Sequence, residues 1–188
     1  MKIKDISELG TLISLCGEVG NDMLKQFDAG AQKVLEKEGE QRATILLTTG
    51  GGKVAFGEAL TERIRFLSGF VDLRIVAATF VMSAGVRIFL ALPKERRFIT
   101  PNGIIMIHPQ TRNDDATSSV SNEERERILN ENLLNLKFAK QREEKWIRDL
   151  SRELGLPYRE TKELWRRSHY FSAKEAVERG LAQAIISF

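Results

Sequence analysis

Short apolar runs closed by turn-forming residues, most of them separated by a helix-like stretch, constrain this chain more than any other feature. The runs are Leu12 to Cys16, Ala43 to Thr48, Leu73 to Ala78, Ile104 to Ile107 and Ala182 to Ile186. That alternation is the mark of an α/β fold. Between the runs, Met23, Leu24, Phe27, Ala31, Val34 and Leu35 make one stripe of a helix from about Asn21 to Lys37, which Gly39 would close, and a second helix spans about Val54 to Leu67. Strands joined through helices run parallel with right-handed crossovers, so their carboxyl ends gather at one edge of the sheet, where sites form. With 188 residues and no stretch rich in Pro, Gly or Ser to divide it, residues 1–188 read as one domain.

One element is too long for that domain. From Ser121 to about Leu154 there is neither Gly nor Pro, and Leu129, Leu133, Leu136, Trp146, Leu150 and Leu154 keep helical spacing. A single helix there would be on the order of 50 Å long. Much of it would project from its own core and pack on another subunit. The alternative is two shorter helices broken near Lys140 and folded back on each other.

Composition excludes several function classes. Lys and Arg (29) nearly balance Asp and Glu (26) and the signs are interspersed, which describes a solvated surface and not a nucleic-acid footprint. The apolar stretch around Ile75 to Val86 is too short to cross a bilayer, and the first ten residues hold no secretory apolar core, so the expectation is a cytoplasmic protein with no membrane partner. Cys16 is the one cysteine, which removes disulfide scaffolds and multi-cysteine metal sites; no metal or cofactor is expected, and Cys16 reads as a small buried hydrophobe on its strand.

Chemistry concentrates at three places. Gly50, Gly51 and Gly52 stand between a strand and a helix, where free backbone amides can hold an anion or oxyanion; the P-loop spacing is absent because Val54 follows Lys53. Ser83 opens the apolar helix Val86 to Leu92, a place where serine ordinarily caps the helix, and Val81 occupies the first glycine position of a G-x-S-x-G elbow. His108 ends the apolar strand Ile104 to Ile107. Together these would supply nucleophile, base and oxyanion donors at one sheet edge.

The ordered motifs T-G-G-G-K-V (49–54), V-M-S-A-G (81–85), I-I-M-I-H-P (104–109) and Y-F-S-A-K-E-A-V-E-R-G-L (170–181) resemble the ClpP family of self-compartmentalising serine peptidases, from near Ile13 to the C-terminus. The resemblance implies a crotonase-like β/α superhelical fold with a long projecting handle helix, and homo-oligomeric rings, heptameric or stacked heptamers, that enclose a chamber. It also implies hydrolysis of short or unfolded peptides fed by an AAA+ unfoldase. By position, Ser83 would be the nucleophile and His108 the base, the amides of Gly52 and Ala84 would form the oxyanion hole, and Gly51 and Gly52 would contact substrate.

Three positions depart from the family. Ser168 stands where its triad acid should be; a neutral amide at the equivalent place in a comparable triad costs about 10⁴ in kcat. A serine hydroxyl can accept the imidazole N–H but brings no charge, and Asp114 or Asp115 would substitute if their loop folded back. About a dozen residues precede the matching strand, so the expectation is that the axial hairpin of the family is absent and that coupling to an unfoldase is weak. Gly50 replaces the proline before the paired glycines. Beside the serine-peptidase reading stand a ring or scaffold subunit of impaired activity and a crotonase-like acyl-CoA-binding protein.

Overall fold

The computed structural model describes residues 6–37, 42–109 and 122–187. Seven strands form one sheet: β1 (Thr11–Cys16), β2 (Arg42–Thr49), β3 (Asp72–Met82), β4 (Arg97–Ile99), β5 (Ile104–Ile107), β6 (His169–Ser172) and β7 (Ala184–Ile185). The path runs β1-β2-β3-β4-β7 with all pairs parallel, as the alternation predicts. β3 is the branch point: Ile75 to Ala77 pair with β4, whereas Phe80 to Met82 pair with β5, and β5 continues into the antiparallel β6. β3 therefore runs on through Thr79 to Met82, four residues past Ala78, where the apolar run read from the sequence ends.

Helices α1 (Asn21–Leu35) and α2 (Val54–Leu67) cover one face. Met23, Phe27 and Val34 of α1 and Leu60, Ile64 and Leu67 of α2 pack with Ile13, Leu15, Ile45, Leu47, Leu73 and Ile75 in the main core. Leu35 lies 54% exposed, outside the stripe the sequence assigned it to, and the proposed Gly39 cap falls outside the described residues. At the opposite face the alternate side chains of β1 are open, so Leu12 and Ser14 are exposed and so is Cys16, correcting the expectation that it is buried. Strand alternation decides this: Ile13 and Leu15 take the covered face, and Cys16 falls in the opposite register. Gln26 of α1 brackets its backbone, accepting from Cys16 N–H at 2.9 Å and donating to its carbonyl at 3.1 Å.

α3 (Ala84–Phe89) follows β3 directly. α4 runs unbroken from Asn122 to Leu154, 33 residues, which removes the alternative of a break near Lys140. Its two halves differ. Ile147, Leu150 and Leu154 are buried in the main core, and Arg97, 1% exposed in β4, donates to Glu153 at 2.7 Å. Farther toward the N-terminus, Leu133, Leu134 and Phe138 are 56%, 59% and 56% exposed. α4 therefore docks by its C-terminal half and projects by the other. α5 (Tyr158–Arg166) and α6 (Ala173–Glu178) flank β6. No helix among the described residues is long and apolar enough to cross a membrane.

Candidate active site

The carboxyl ends of β2, β3 and β5 lead into the glycine turn, Ser83 and His108. Thr49 closes the turn by accepting from Gly51 N–H at 3.1 Å. A bridge then pins it to the segment after β1: Val19 N–H donates to Gly51 O at 2.8 Å and Lys53 N–H to Val19 O at 2.9 Å. Gly52 N–H takes no part in those two bonds. Gly51 and Gly52 hold φ of 105° and 146°, which L side chains rarely adopt, and they line a cleft of about 470 Å³ with Cys16 and Phe80.

Ser83 is not an ordinary cap. Its side chain accepts no capping hydrogen bond, and its backbone sits at φ 54°, ψ −122°, a strained conformation of the kind that persists where the surroundings over-determine it. Its N–H donates to Met106 O at 2.9 Å, which ties the turn to β5. The hydroxyl is thereby left uncommitted, and Ala84 begins α3 with a first-turn amide that has no intrahelical acceptor. Gly51 lies against Ser83: a methyl on Gly51 would come within 2.6 Å of Ser83 Cβ and 3.2 Å of its Oγ.

Ser83, Ala84 and His108 line one cavity of about 20 Å³. His108 is half-buried, one residue beyond the last rung of the β5–β6 ladder, Ile107 with His169. Continuing that register by one step sets Ser168 across from His108. Ser168 is exposed with φ 57°, its N–H donating to Trp165 O at 3.2 Å. Asp114 and Asp115 lie outside the described residues. The other histidine, His169, pairs with Glu175 Oε1 at 3.1 Å and meets Phe171 edge-on. Among the described residues no group of three or more His, Cys, Asp or Glu is placed to hold a metal ion.

The cavity is also lined by residues the sequence reading did not assign to the site: Trp146, read there only as part of the α4 stripe, Glu143 of α4, Trp165 of α5 and Arg87 of α3. Burial pushes the Glu143 carboxyl up and pulls the Arg87 guanidinium down to about 10. Both tryptophans keep helical spacing with core positions, so nothing local separates a pocket wall from ordinary packing.

This strand order with a projecting helix is a ClpP-type α/β fold: a mutant of ClpP1 from Listeria monocytogenes superposes with a TM-score of 0.74 at 22% identity, over 95% of this chain and 92% of that one. The model of the Clp protease family matches residues 6–188, and the chain belongs to that family of peptidases. Among its relatives are ATP-dependent Clp protease proteolytic subunit 2 of Gluconobacter oxydans, 27% identical over 88% of this chain and 70% of that one, and the proteolytic subunit of Paracoccus denitrificans, 25% identical over 88% and 76%.

Proposed function

We propose that this chain is a ClpP-like serine endopeptidase that cuts short or unfolded peptides inside an oligomeric chamber through an acyl-enzyme on Ser83. The observation that carries the reading is the convergence of a strained, uncapped serine and a strand-end histidine on one cavity. Ser83 Oγ attacks the scissile carbonyl while His108 takes its proton, then returns it to the leaving amine. The amides of Gly52 and Ala84 receive the developing oxyanion, and Gly51 and Gly52 present the cleft in which the extended peptide lies. Ser168 accepts from the imidazole in place of the missing carboxylate. The exposed apolar stripe at Leu133, Leu134 and Phe138 supports assembly into rings that interlock through α4.

The neutral Ser168 favours a second reading, a ring subunit that keeps the assembly with little chemistry of its own. A fluorophosphonate probe separates the two. Labelling of the wild type and none of Ser83→Ala supports the hydrolase; silence in both, with rings intact by sedimentation, supports the scaffold.

A further inference from the structure

We infer that this chain prefers peptides carrying lysine or arginine within two residues of the cleaved bond, because Glu18 and Phe80 give the cleft at the glycine turn a negative charge and an aromatic face for a long cationic side chain. The inference deepens the hydrolase reading and rests on it, since it takes the cleft beside Gly52 as the place where the peptide lies. Among the described residues Glu18 is the one charged residue in the lining of that cleft. Lys53, next along the chain from the turn, lies over the Phe56 ring at 5.9 Å and is not part of the lining. The charge that a bound peptide meets there is therefore negative.

The backbone around Glu18 is pinned on both sides. Gly17 N–H donates to Thr48 O at 3.2 Å, Val19 N–H donates to Gly51 O at 2.8 Å, and Val19 O accepts from Lys53 N–H at 2.9 Å. The side chain lies against the turn itself, for a methyl on Gly52 would come within 2.7 Å of Glu18 Cγ. The carboxyl group is bonded directly to that carbon, so it stands close to the amide assigned to the oxyanion. Among the described residues it has no hydrogen bond or ion pair, which leaves its charge open to a substrate. Phe80 comes to the same cleft from β3, where it pairs with Ile104 of β5, and is 37% exposed. An open aromatic face covers the methylene stem of lysine or arginine and attracts its head group, while the carboxylate meets the charge. An acidic side chain in that place meets like charge, and a neutral one gains the ring without the ion pair.

The test uses the full-length protein and internally quenched peptides that place Lys, Arg, Gln or Glu in turn at each of the two residues on either side of the cleaved bond, with the cut located by mass spectrometry. At low salt the wild type is expected to show kcat/KM for Lys about fivefold above Glu at one or more of these positions, the scale of an exposed ion pair exchanged for a repulsion. In 1 M salt, where the screening length falls to about 3 Å, the ratio should approach one. Glu18→Gln should remove the preference and Glu18→Lys should reverse it; taking the ratio cancels any effect of the altered charge on the oxyanion. Phe80→Leu, which keeps an apolar side chain but removes the ring, should lower kcat/KM for Lys relative to Gln by about twofold, and an undiminished ratio overturns the part given to the ring. A Lys-to-Glu ratio near one at every position, or a preference unmoved by salt and by both Glu18 variants, overturns the inference. If Ser83 still labels with a fluorophosphonate in that case, this inference falls and the hydrolase reading stands. If Ser83 does not label, the hydrolase reading falls and takes this inference with it.

Discussion

Replacing Gly51 by alanine should silence Ser83 without dismantling the fold. The added methyl would stand 2.6 Å from Ser83 Cβ and 3.1 Å from Met82 O, so it is blocked on two sides. Ordinary contact between carbons is about 3.5–4.0 Å, which requires Ser83 or the turn to move by roughly 1 Å. The backbone adds to this: φ at Gly51 is 105°, and a side chain held there costs on the order of 1–3 kcal/mol. Ser83 is itself at φ 54° and bound through its N–H to β5, so the turn is the more yielding partner and its amides leave register with the hydroxyl. A displacement of about 1 Å in a reacting group costs about 10²-fold in rate. The second-order rate of fluorophosphonate labelling, with thermal unfolding measured alongside, reads both effects. Gly50→Ala is the matched control, since a methyl at Gly50 meets nothing within 4 Å and should label near the wild-type rate. Labelling of Gly51→Ala as fast as wild type would refute the claim that this glycine sets the position of Ser83.

Ser168→Asp should raise peptide turnover, with about 10⁴ as the ceiling set by comparable triads; an equal or lower kcat would remove position 168 from the role of orienting His108. Asp72, the partner of Arg42 across β2 and β3 at 2.8 Å, tests the electrostatics of the sheet. Burial works to raise its carboxyl, but the hydrogen bond from Arg42 and the fields of Arg74 and Arg42 outweigh it and hold the group below the ordinary carboxylate range. A depressed folded value stabilises above the unfolded value and is lost as pH falls through the folded one. Asp72→Asn should therefore cost about 0.5–1 kcal/mol at neutral pH, discounted because a third of the side chain is exposed, and nothing once pH drops below that range; a pH-independent difference in chemical denaturation would contradict this. Leu134→Glu combined with Phe138→Glu should lower the assembled mass seen by sedimentation, whereas an unchanged mass would mean that the stripe on α4 is not an interface.

Much of the scaffold was legible because local pattern and tertiary role agree. The helix Val54–Leu67 and the strand Ile104–Ile107 stand where periodicity sets them, and α4 advertises its length by lacking Gly and Pro. The failures share a cause, which is that burial of an individual side chain is decided by distant partners. β4 escaped because it is three residues long and opens with Arg97, a residue that reads as surface until Glu153 arrives from α4 to pair with it. β6 escaped because His169 and Ser172 break its apolar character and only the ladder with β5 defines it. Cys16 depended on which face of β1 the helices cover. At the site, Ser83 and His108 could be nominated from their places at element ends, but the dihedral strain of Ser83 and the tryptophan walls arise from packing between segments far apart in the chain.

The branching of β3 divides the site into a stiff half and a pliant half. Ser83 follows directly on the last rung of the β3–β5 ladder, Met82 with Met106, and His108 stands two residues past it, so that ladder and the bond from Ser83 N–H to Met106 O keep the two backbones close. The glycine turn has no such ladder: it is held by Thr49 and by the bridge to Val19. A displacement reaching this edge of the sheet would shift the Gly52 amide against Ser83 and Ala84 more easily than it would separate Ser83 from His108.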